Sequence, residues 1–189
     1  ALKQPFQPLL VKIGGNSELK YVAAAESAGI SRTLVGETLF SGLYLNELLT
    51  RLLPKFDAAP TLFAAYGDAI EVISTSADPE LTLRRFELLL LEELGYQIQW
   101  QRDFEERPIQ QTAYYCYQPD RGFLPSGETD GSLMISGVQL LTLADWQRSG
   151  CAIDETCQAK LKGIMRLAID QRLGGRPLKV REAVTEWRQ

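Results

Sequence analysis

The segment between Pro79 and Gly95 constrains the fold of this chain most strongly. Its apolar side chains recur at helical spacing and cover most of the circumference that a helix would have. They are Leu83, Phe86, Leu88, Leu89, Leu90, Leu91 and Leu94. A proline near the start and a glycine at the end delimit the helix. Because a helix that is apolar on most sides is normally buried among others, the segment predicts a helical bundle.

Other segments complete a mixed architecture. Helical spacing also predicts helices over 36–53, 60–74, 137–146, 154–172 and 178–187. Strands are predicted over 6–13 and 18–25, joined by the turn residues 14–17. Further strands are predicted over 112–117 and 133–135, with a turn at 120–122. The fold class is therefore α+β, with a small β insertion between helices.

The change of pattern along the chain predicts four parts. Residues 1–30 form strands, 31–95 the first helical part, 96–136 the β insertion, and 137–189 the second helical part. A two-stranded hairpin alone is marginally stable, so the first strands are expected to belong to a larger sheet.

Composition excludes several function classes. The 189 residues include no histidine, which removes the commonest general base and metal ligand. Cys116, Cys151 and Cys157 include no C-x2-C pair of the kind that binds metal, so we expect all three to be reduced thiols. The chain carries a net charge of -4, so it has no overall basic field to attract nucleic acid. Without a long apolar run, the expectation is a cytoplasmic, non-enzymatic protein with no catalytic residues, bound metal or membrane partner.

Two arginine-containing segments are the candidate binding sites. Arg84 and Arg85 lie in the leucine-rich helix, where guanidinium groups beside apolar side chains suit an acidic and apolar peptide. The alternative is that they form ion pairs with their own helix, through Asp78, Glu80 or Glu87. A second set of cations follows the Gly174–Gly175 helix end and has the same alternative, a solvated surface. It comprises Arg172, Arg176, Lys179 and Arg181.

The aromatic strand of the insertion is a third candidate. Tyr114, Tyr115 and Tyr117 suit a platform for stacking nucleic-acid bases. The alternative, which we favour, is a small core plus surface, with Tyr115 expected to face opposite to Tyr114 and Tyr117.

Taken together, the motifs resemble those of the RecO family of bacterial recombination mediators. The resemblance covers nearly the whole chain and rests on segments in the family's order. They are 2–10 (LKQPFQPLL), 15–26, 41–49 (SGLYLNELL), 83–88 (LRRFEL), 94–96 (LGY), 136–137 and 173–181 (LGGRPLKVR).

The resemblance implies a function in DNA repair and recombination. Members of the family combine an OB-fold, a helical domain and a zinc-ribbon-like insertion. They bind single- and double-stranded DNA, anneal strands and, with RecR in the RecFOR pathway, help RecA load onto DNA coated with single-strand DNA-binding protein (SSB). The resemblance places the SSB tail at Arg84, with Arg85, Leu88 and Leu91 nearby, and makes the protein nucleoid-associated.

Two departures from the family pattern shape these expectations. The early OB-fold strands have no counterpart in this sequence, so only the last strands of the barrel are expected and DNA binding should be weaker than in a longer version. The insertion holds only Cys116, so no zinc is expected. The alternative function is a helical scaffold that binds an acidic, apolar tail and has no direct role on DNA.

Overall fold

The computed structural model describes residues 4–16, 19–76, 79–126 and 133–187. Within these ranges the fold is α+β, with six helices and two small antiparallel sheets. The helices are α1 (Glu37–Leu52), α2 (Pro60–Thr75), α3 (Glu80–Glu93), α4 (Gly137–Ser149), α5 (Glu155–Arg172) and α6 (Lys179–Trp187). The strands are β1 (Leu9–Gly14), β2 (Tyr21–Ser27), β3 (Tyr114–Gln118), β4 (Gly122–Pro125) and β5 (Met134–Ser136).

Helix α3 is buried between two hydrophobic cores, as its apolar circumference predicts. One side packs against α1 and α2 through Leu83, Phe86 and Leu90. The other side contributes Leu88 and Leu91 to a core shared with the insertion, α4 and α5. Because α5 also contributes to both cores, α3 and α5 together hold the helical part to the insertion.

The end of α3 confirms the predicted glycine stop. Gly95 has a φ of 82°, a conformation that costs little only for a residue without Cβ. The Tyr96 N–H donates to the Leu91 carbonyl and the Gly95 N–H to the Glu92 carbonyl, so a Schellman motif satisfies the last carbonyls. Asp78, which the sequence offers as a cap for the other end, lies outside the described residues.

The insertion folds around a three-stranded sheet of order β4-β3-β5. Strand β4 was not predicted, because four residues containing a glycine and a proline give too short a pattern to recognise. Tyr115 and Tyr117 are buried in the core, whereas Tyr114 is exposed, which agrees with a small core plus surface. The expectation that Tyr117 faces opposite to Tyr115 is wrong, because residues two apart in a strand share a face. Strand β5 leads directly into α4, whose first turn is closed by a capping box between Ser136 and Gln139.

Strands β1 and β2 form a separate antiparallel hairpin with an irregularity at Lys12 and Ile13. No third strand joins it among the described residues, so the larger sheet that the sequence predicts is not observed there. Apolar side chains of the hairpin, among them Leu10, Ile13 and Val22, are exposed. Residues 17 and 18, part of the predicted turn and second strand, lie outside the described ranges. In those ranges, no helix combines the length and hydropathy needed to cross a bilayer.

Candidate functional site

A cleft of about 480 Å³ opens where α1, α3, α5 and α6 meet. We call it the cationic cleft, because four basic side chains line it, Arg84, Lys162, Arg166 and Arg181, and outnumber the two carboxylates there, Glu37 and Glu80. Apolar side chains line it as well: Phe40, Val180, Val184 and Trp187. The cleft therefore combines positive charge with an apolar wall, the combination that an acidic and apolar ligand requires.

Arg84 lies at the bottom of this cleft and is almost fully buried, with 8% of its side chain exposed. Its Nη2 lies 2.8 Å from Glu87 Oε1, and its Nε lies 3.5 Å from Glu80 Oε1. The Tyr44 hydroxyl donates a hydrogen bond of 2.5 Å to the same Glu87 oxygen. Arg84 thus meets internal carboxylates, as the ion-pair alternative predicts, and lines the cleft at the same time.

The charges beneath the cleft are only partly compensated. Burial raises the pKa of Glu87 to about 7, although the Arg84 guanidinium and the Tyr44 hydroxyl oppose the increase. Burial and the Glu87 carboxylate also raise the pKa of Tyr44, so its hydroxyl stays protonated at neutral pH. Among the described residues, Glu87 Oε2 and Arg84 Nε are buried without a hydrogen-bond partner, although Nε lies within ion-pair distance of Glu80. Such a group is costly to leave unsatisfied, so the guanidinium retains a capacity for a further anionic partner.

The other cations of the cleft are more accessible. The Lys162 side chain is 62% exposed, and its Nζ lies 3.0 Å from Glu80 Oε2. The Arg166 side chain is 70% exposed, and its Nε lies 3.7 Å from Asp170 Oδ2. Arg181 Nη1 lies 2.5 Å from Asp170 Oδ1, and the same guanidinium lies above the ring of Tyr44. Ion pairs between exposed side chains are weak, so Lys162 and Arg166 are available to a ligand carboxylate.

Glu47 of α1 fixes α6 as one wall of the cleft. Its carboxylate accepts hydrogen bonds of 2.9 Å from the backbone N–H groups of Lys179 and Val180, the first residues of α6. Partial burial raises the pKa of Glu47, but these two donors and Arg51 outweigh it and hold the pKa below its usual value. A carboxylate at a helix N-terminus satisfies orphan donors and interacts favourably with the helix dipole.

The structure separates the residues that the sequence places at the SSB-tail site. Arg84 lines the cleft, but Leu88 and Leu91 are 5% and 1% exposed and lie in the core beneath the insertion. Their positions share a helix face with Arg84, yet they lie one and two turns further along α3, where α5 and the insertion cover that face. Arg85 points elsewhere, with its guanidinium 5.3 Å from the ring centre of Trp146.

The four cations of the second predicted set have different surroundings. Arg181 lines the cationic cleft, whereas Arg172 packs over the Tyr96 ring at 3.9 Å and pairs with Asp120. Arg176, which follows the two glycines, and Lys179, the first residue of α6, are both exposed.

Several residues of the cleft were missed from the sequence. Phe40 and Tyr44 lie one turn apart on α1, and Lys162 and Arg166 lie one turn apart on α5. One-turn spacing was visible in the sequence, but it does not tell which helices meet. Among the described residues, no group of three histidine, cysteine or acidic side chains is placed to hold a metal ion.

Comparisons with known proteins identify similar chains. The family model described as "Recombination protein O C terminal" matches residues 35–182. The chain is 44% identical to DNA repair protein RecO of Pseudomonas paraeruginosa, over 96% of this chain and 76% of that protein. It is 43% identical to DNA repair protein RecO of Stutzerimonas stutzeri, over 96% of this chain and 75% of that protein. It is 42% identical to DNA repair protein RecO of Methylococcus capsulatus, over 96% of this chain and 73% of that protein.

Proposed function

The chain belongs to the RecO family of DNA repair proteins, and from this premise we propose that its cationic cleft docks the C-terminal tail of SSB. That tail is an acidic stretch that ends in a phenylalanine with a free carboxylate. A receptor for it needs an apolar surface for the ring, one cation for the terminal carboxylate, and others for the acidic residues. The observation that carries the proposal is that one cleft supplies all three.

Each part of the tail has a matching part of the cleft. Phe40 and Trp187, whose ring centres lie 5.5 Å apart, offer an aromatic wall beside Val184. Lys162 and Arg166 extend from the rim into solvent, where they attract the acidic stretch. Arg84 supplies a desolvated guanidinium at the bottom, where a charge-assisted hydrogen bond to a carboxylate is strongest.

We propose further that the protein acts as a non-enzymatic mediator in the RecFOR pathway. In this role it binds single- and double-stranded DNA, anneals complementary strands and, with RecR, helps RecA load onto SSB-coated DNA. Docking of the SSB tail recruits the protein to that DNA. Support for this wider role comes from the family relationship and not from a feature of the cleft.

Titration of a fluorescent SSB tail peptide tests the docking proposal. Lys162→Ala and Arg166→Ala should each weaken binding about three- to tenfold, since each removes one charge from the rim. Arg148→Ala is the matched control, because this arginine of α4 is 75% exposed and lies outside the cleft. Unchanged affinity in both cleft variants would exclude the cationic cleft as the docking site.

A second set of peptides tests which part of the tail is recognised. A peptide without its terminal phenylalanine should lose most of its affinity, because the aromatic wall then has no ring to contact. Amidation of the terminal carboxylate should also weaken binding while leaving the acidic stretch intact. Equal binding of all three peptides would indicate charge attraction alone and would contradict recognition of the end of the tail by the cationic cleft.

A further inference from the structure

A second cleft of about 350 Å³ lies on a different surface, where the insertion meets the ends of α3 and α5. We call it the Tyr117 cleft. Leu91, Ala168 and the Tyr117 ring lie at its base, and the loops over 95–99, 102–106 and 119–122 surround it. Its size is within the range of small-ligand sites. None of the residues proposed to dock the SSB tail in the cationic cleft lines it, whereas Leu91, which the sequence placed at the tail site, does.

One wall of the Tyr117 cleft is a fixed planar stack. The Arg172 guanidinium lies 3.9 Å from the centre of the Tyr96 ring. It also donates a hydrogen bond to the Asp120 carboxylate, which orients its plane. Tyr96 itself is held by the hydrogen bond that closes the end of α3. This wall is therefore organised before any ligand enters.

The other wall is a second arginine on an aromatic ring. The Arg121 guanidinium lies 5.2 Å from the centre of the Phe104 ring, and its Nη1 lies 3.3 Å from Gln118 Oε1. Arg121 is exposed, and Phe104 is partly buried. Guanidinium planes and aromatic rings are the side chains on which unstacked nucleic-acid bases stack.

Polar groups between the walls suit the edge of a planar heterocycle. Tyr117 is buried, and no hydrogen bond to its hydroxyl is present among the described residues. Burial raises the pKa of Tyr117 to about 12, so the hydroxyl remains a donor at neutral pH. The amide side chains of Gln97 and Gln99 lie at the rim. Hydroxyl and amide groups of this kind pair with the donors and acceptors of a base.

The charges around the cleft favour an uncharged ring over an anion. Three arginines line it, Arg102, Arg121 and Arg172. Three carboxylates oppose them, Asp103, Glu106 and Asp120. Because the formal charges cancel, a free phosphate or an acidic peptide gains little from this cleft.

We propose that the Tyr117 cleft takes one unstacked base of a single DNA strand. The inference builds on the proposed DNA binding but assigns it to a surface that is separate from the cationic cleft. The base stacks against Arg121, and its edge meets the Tyr117 hydroxyl and the glutamine amides. Because every base has a π-face, the site is tolerant of sequence.

A short oligonucleotide with 2-aminopurine at its centre tests this proposal, because stacking changes the fluorescence of that base. The wild-type chain at low salt should change the signal on binding. Arg121→Ala should weaken binding about fivefold. Arg121→Lys keeps the charge but removes the plane, so it should lose nearly as much. Arg148→Ala, the matched exposed arginine of α4, should bind as the wild type does.

The outcomes distinguish a stacking site from general charge attraction. Full affinity in Arg121→Lys, or an equal loss in Arg148→Ala, would overturn the proposal. Absence of any fluorescence change with the wild type would overturn it as well. Titration of the same variants with the SSB tail peptide should give wild-type affinity, so failure of the stacking site is separable from failure of tail docking.

Discussion

The Arg84 guanidinium lies 2.8 Å from Glu87, a carboxylate whose side chain is wholly excluded from solvent. The two interpretations that the sequence leaves open for Arg84 are therefore not alternatives. The arginine is held by carboxylates of its own helix, and it also lines a cleft with three other cations. The buried pair fixes the guanidinium in place, so a ligand would meet an arginine that has already lost its conformational freedom.

Loss of the Arg84 side chain should destabilise the protein as well as weaken binding. Arg84→Ala leaves Glu87 buried without its cation and removes the hydrogen bond between them, which should cost about 1–3 kcal/mol because Glu87 can take up a proton. The free energy of unfolding, measured with denaturant, should fall accordingly. Because loss of this side chain perturbs the fold as well as the cleft, Lys162 and Arg166 are better tests of tail docking.

A double variant is the control for that measurement. Arg84→Met combined with Glu87→Leu removes both charges and fills a similar volume. Replacement of a buried ion pair by apolar side chains is often neutral. We therefore expect the double variant to recover most of the stability that Arg84→Ala loses. Equal stability of Arg84→Ala and the wild type would mean that the buried pair contributes nothing to the fold.

Glu87 should make stability depend on pH in the direction opposite to most carboxylates. Its pKa rises from an ordinary value near 4.5 to about 7 on folding, so the native state binds the proton more tightly. The contribution is present at low pH and is lost as the pH increases from about 4.5 to 7, with a slope of at most about 1.4 kcal/mol per pH unit. Glu87→Gln should remove this slope.

The difference between wild type and Glu87→Gln isolates this contribution. Other groups, such as Glu47 and Asp103 with their lowered pKa values, contribute in both proteins and cancel. Unfolding measured at several pH values between 5 and 8 should show the wild type losing stability relative to the variant as the pH increases. Parallel curves for the two proteins would contradict the raised pKa.

The same proton should affect tail binding. Protonation of Glu87 leaves Arg84 with only the Glu80 carboxylate, while Tyr44 stays neutral and Arg181 stays charged. Affinity for the SSB tail peptide should therefore increase as the pH falls from 8 to 6, and Glu87→Gln should bind with little pH dependence. A wild-type affinity that does not change over this range would show that the Glu87 charge does not reach the ligand.

The sequence was sufficient to predict most helices and strands, but not the clefts and cores that form where they meet. Proline and glycine positions gave the bounds of α3 to within a few residues, and its apolar circumference gave its burial between cores. Helical spacing also placed Arg84, Leu88 and Leu91 on one face. It did not show that α5 and the insertion cover that face beyond Arg84, because such contacts join residues far apart in the chain.

Gly137 illustrates a constraint of this long-range kind. A Cβ on Gly137 would lie 1.9 Å from the Gln110 carbonyl oxygen, in the backbone that precedes β3. Gly137→Ala should therefore destabilise the protein by about 2 kcal/mol or more, since backbone must move. Gly67→Ala is the matched control in the exposed middle of α2, where the new Cβ meets nothing within 4 Å.

We expect the two glycine variants to differ in sign. Gly67→Ala should stabilise the protein by about 0.5–1 kcal/mol, because alanine loses less backbone entropy in a helix. Thermal unfolding of both variants against the wild type measures the difference. A Gly137→Ala protein as stable as the wild type would mean that the close approach between α4 and the insertion is not required.

Glu47 should control the cationic cleft without contacting its ligand. Its carboxylate holds the N-terminus of α6, which carries Val180, Arg181, Val184 and Trp187 into the cleft. Glu47→Ala removes this cap, at a cost of about 1 kcal/mol, and should loosen α6. Affinity for the SSB tail peptide should fall severalfold, and hydrogen exchange should accelerate over residues 179–187.

Glu92→Ala, which removes an exposed acid at the end of α3, is the control with the same change in charge. Faster exchange in α6 with unchanged tail affinity would show that α6 is not a wall of the docking site.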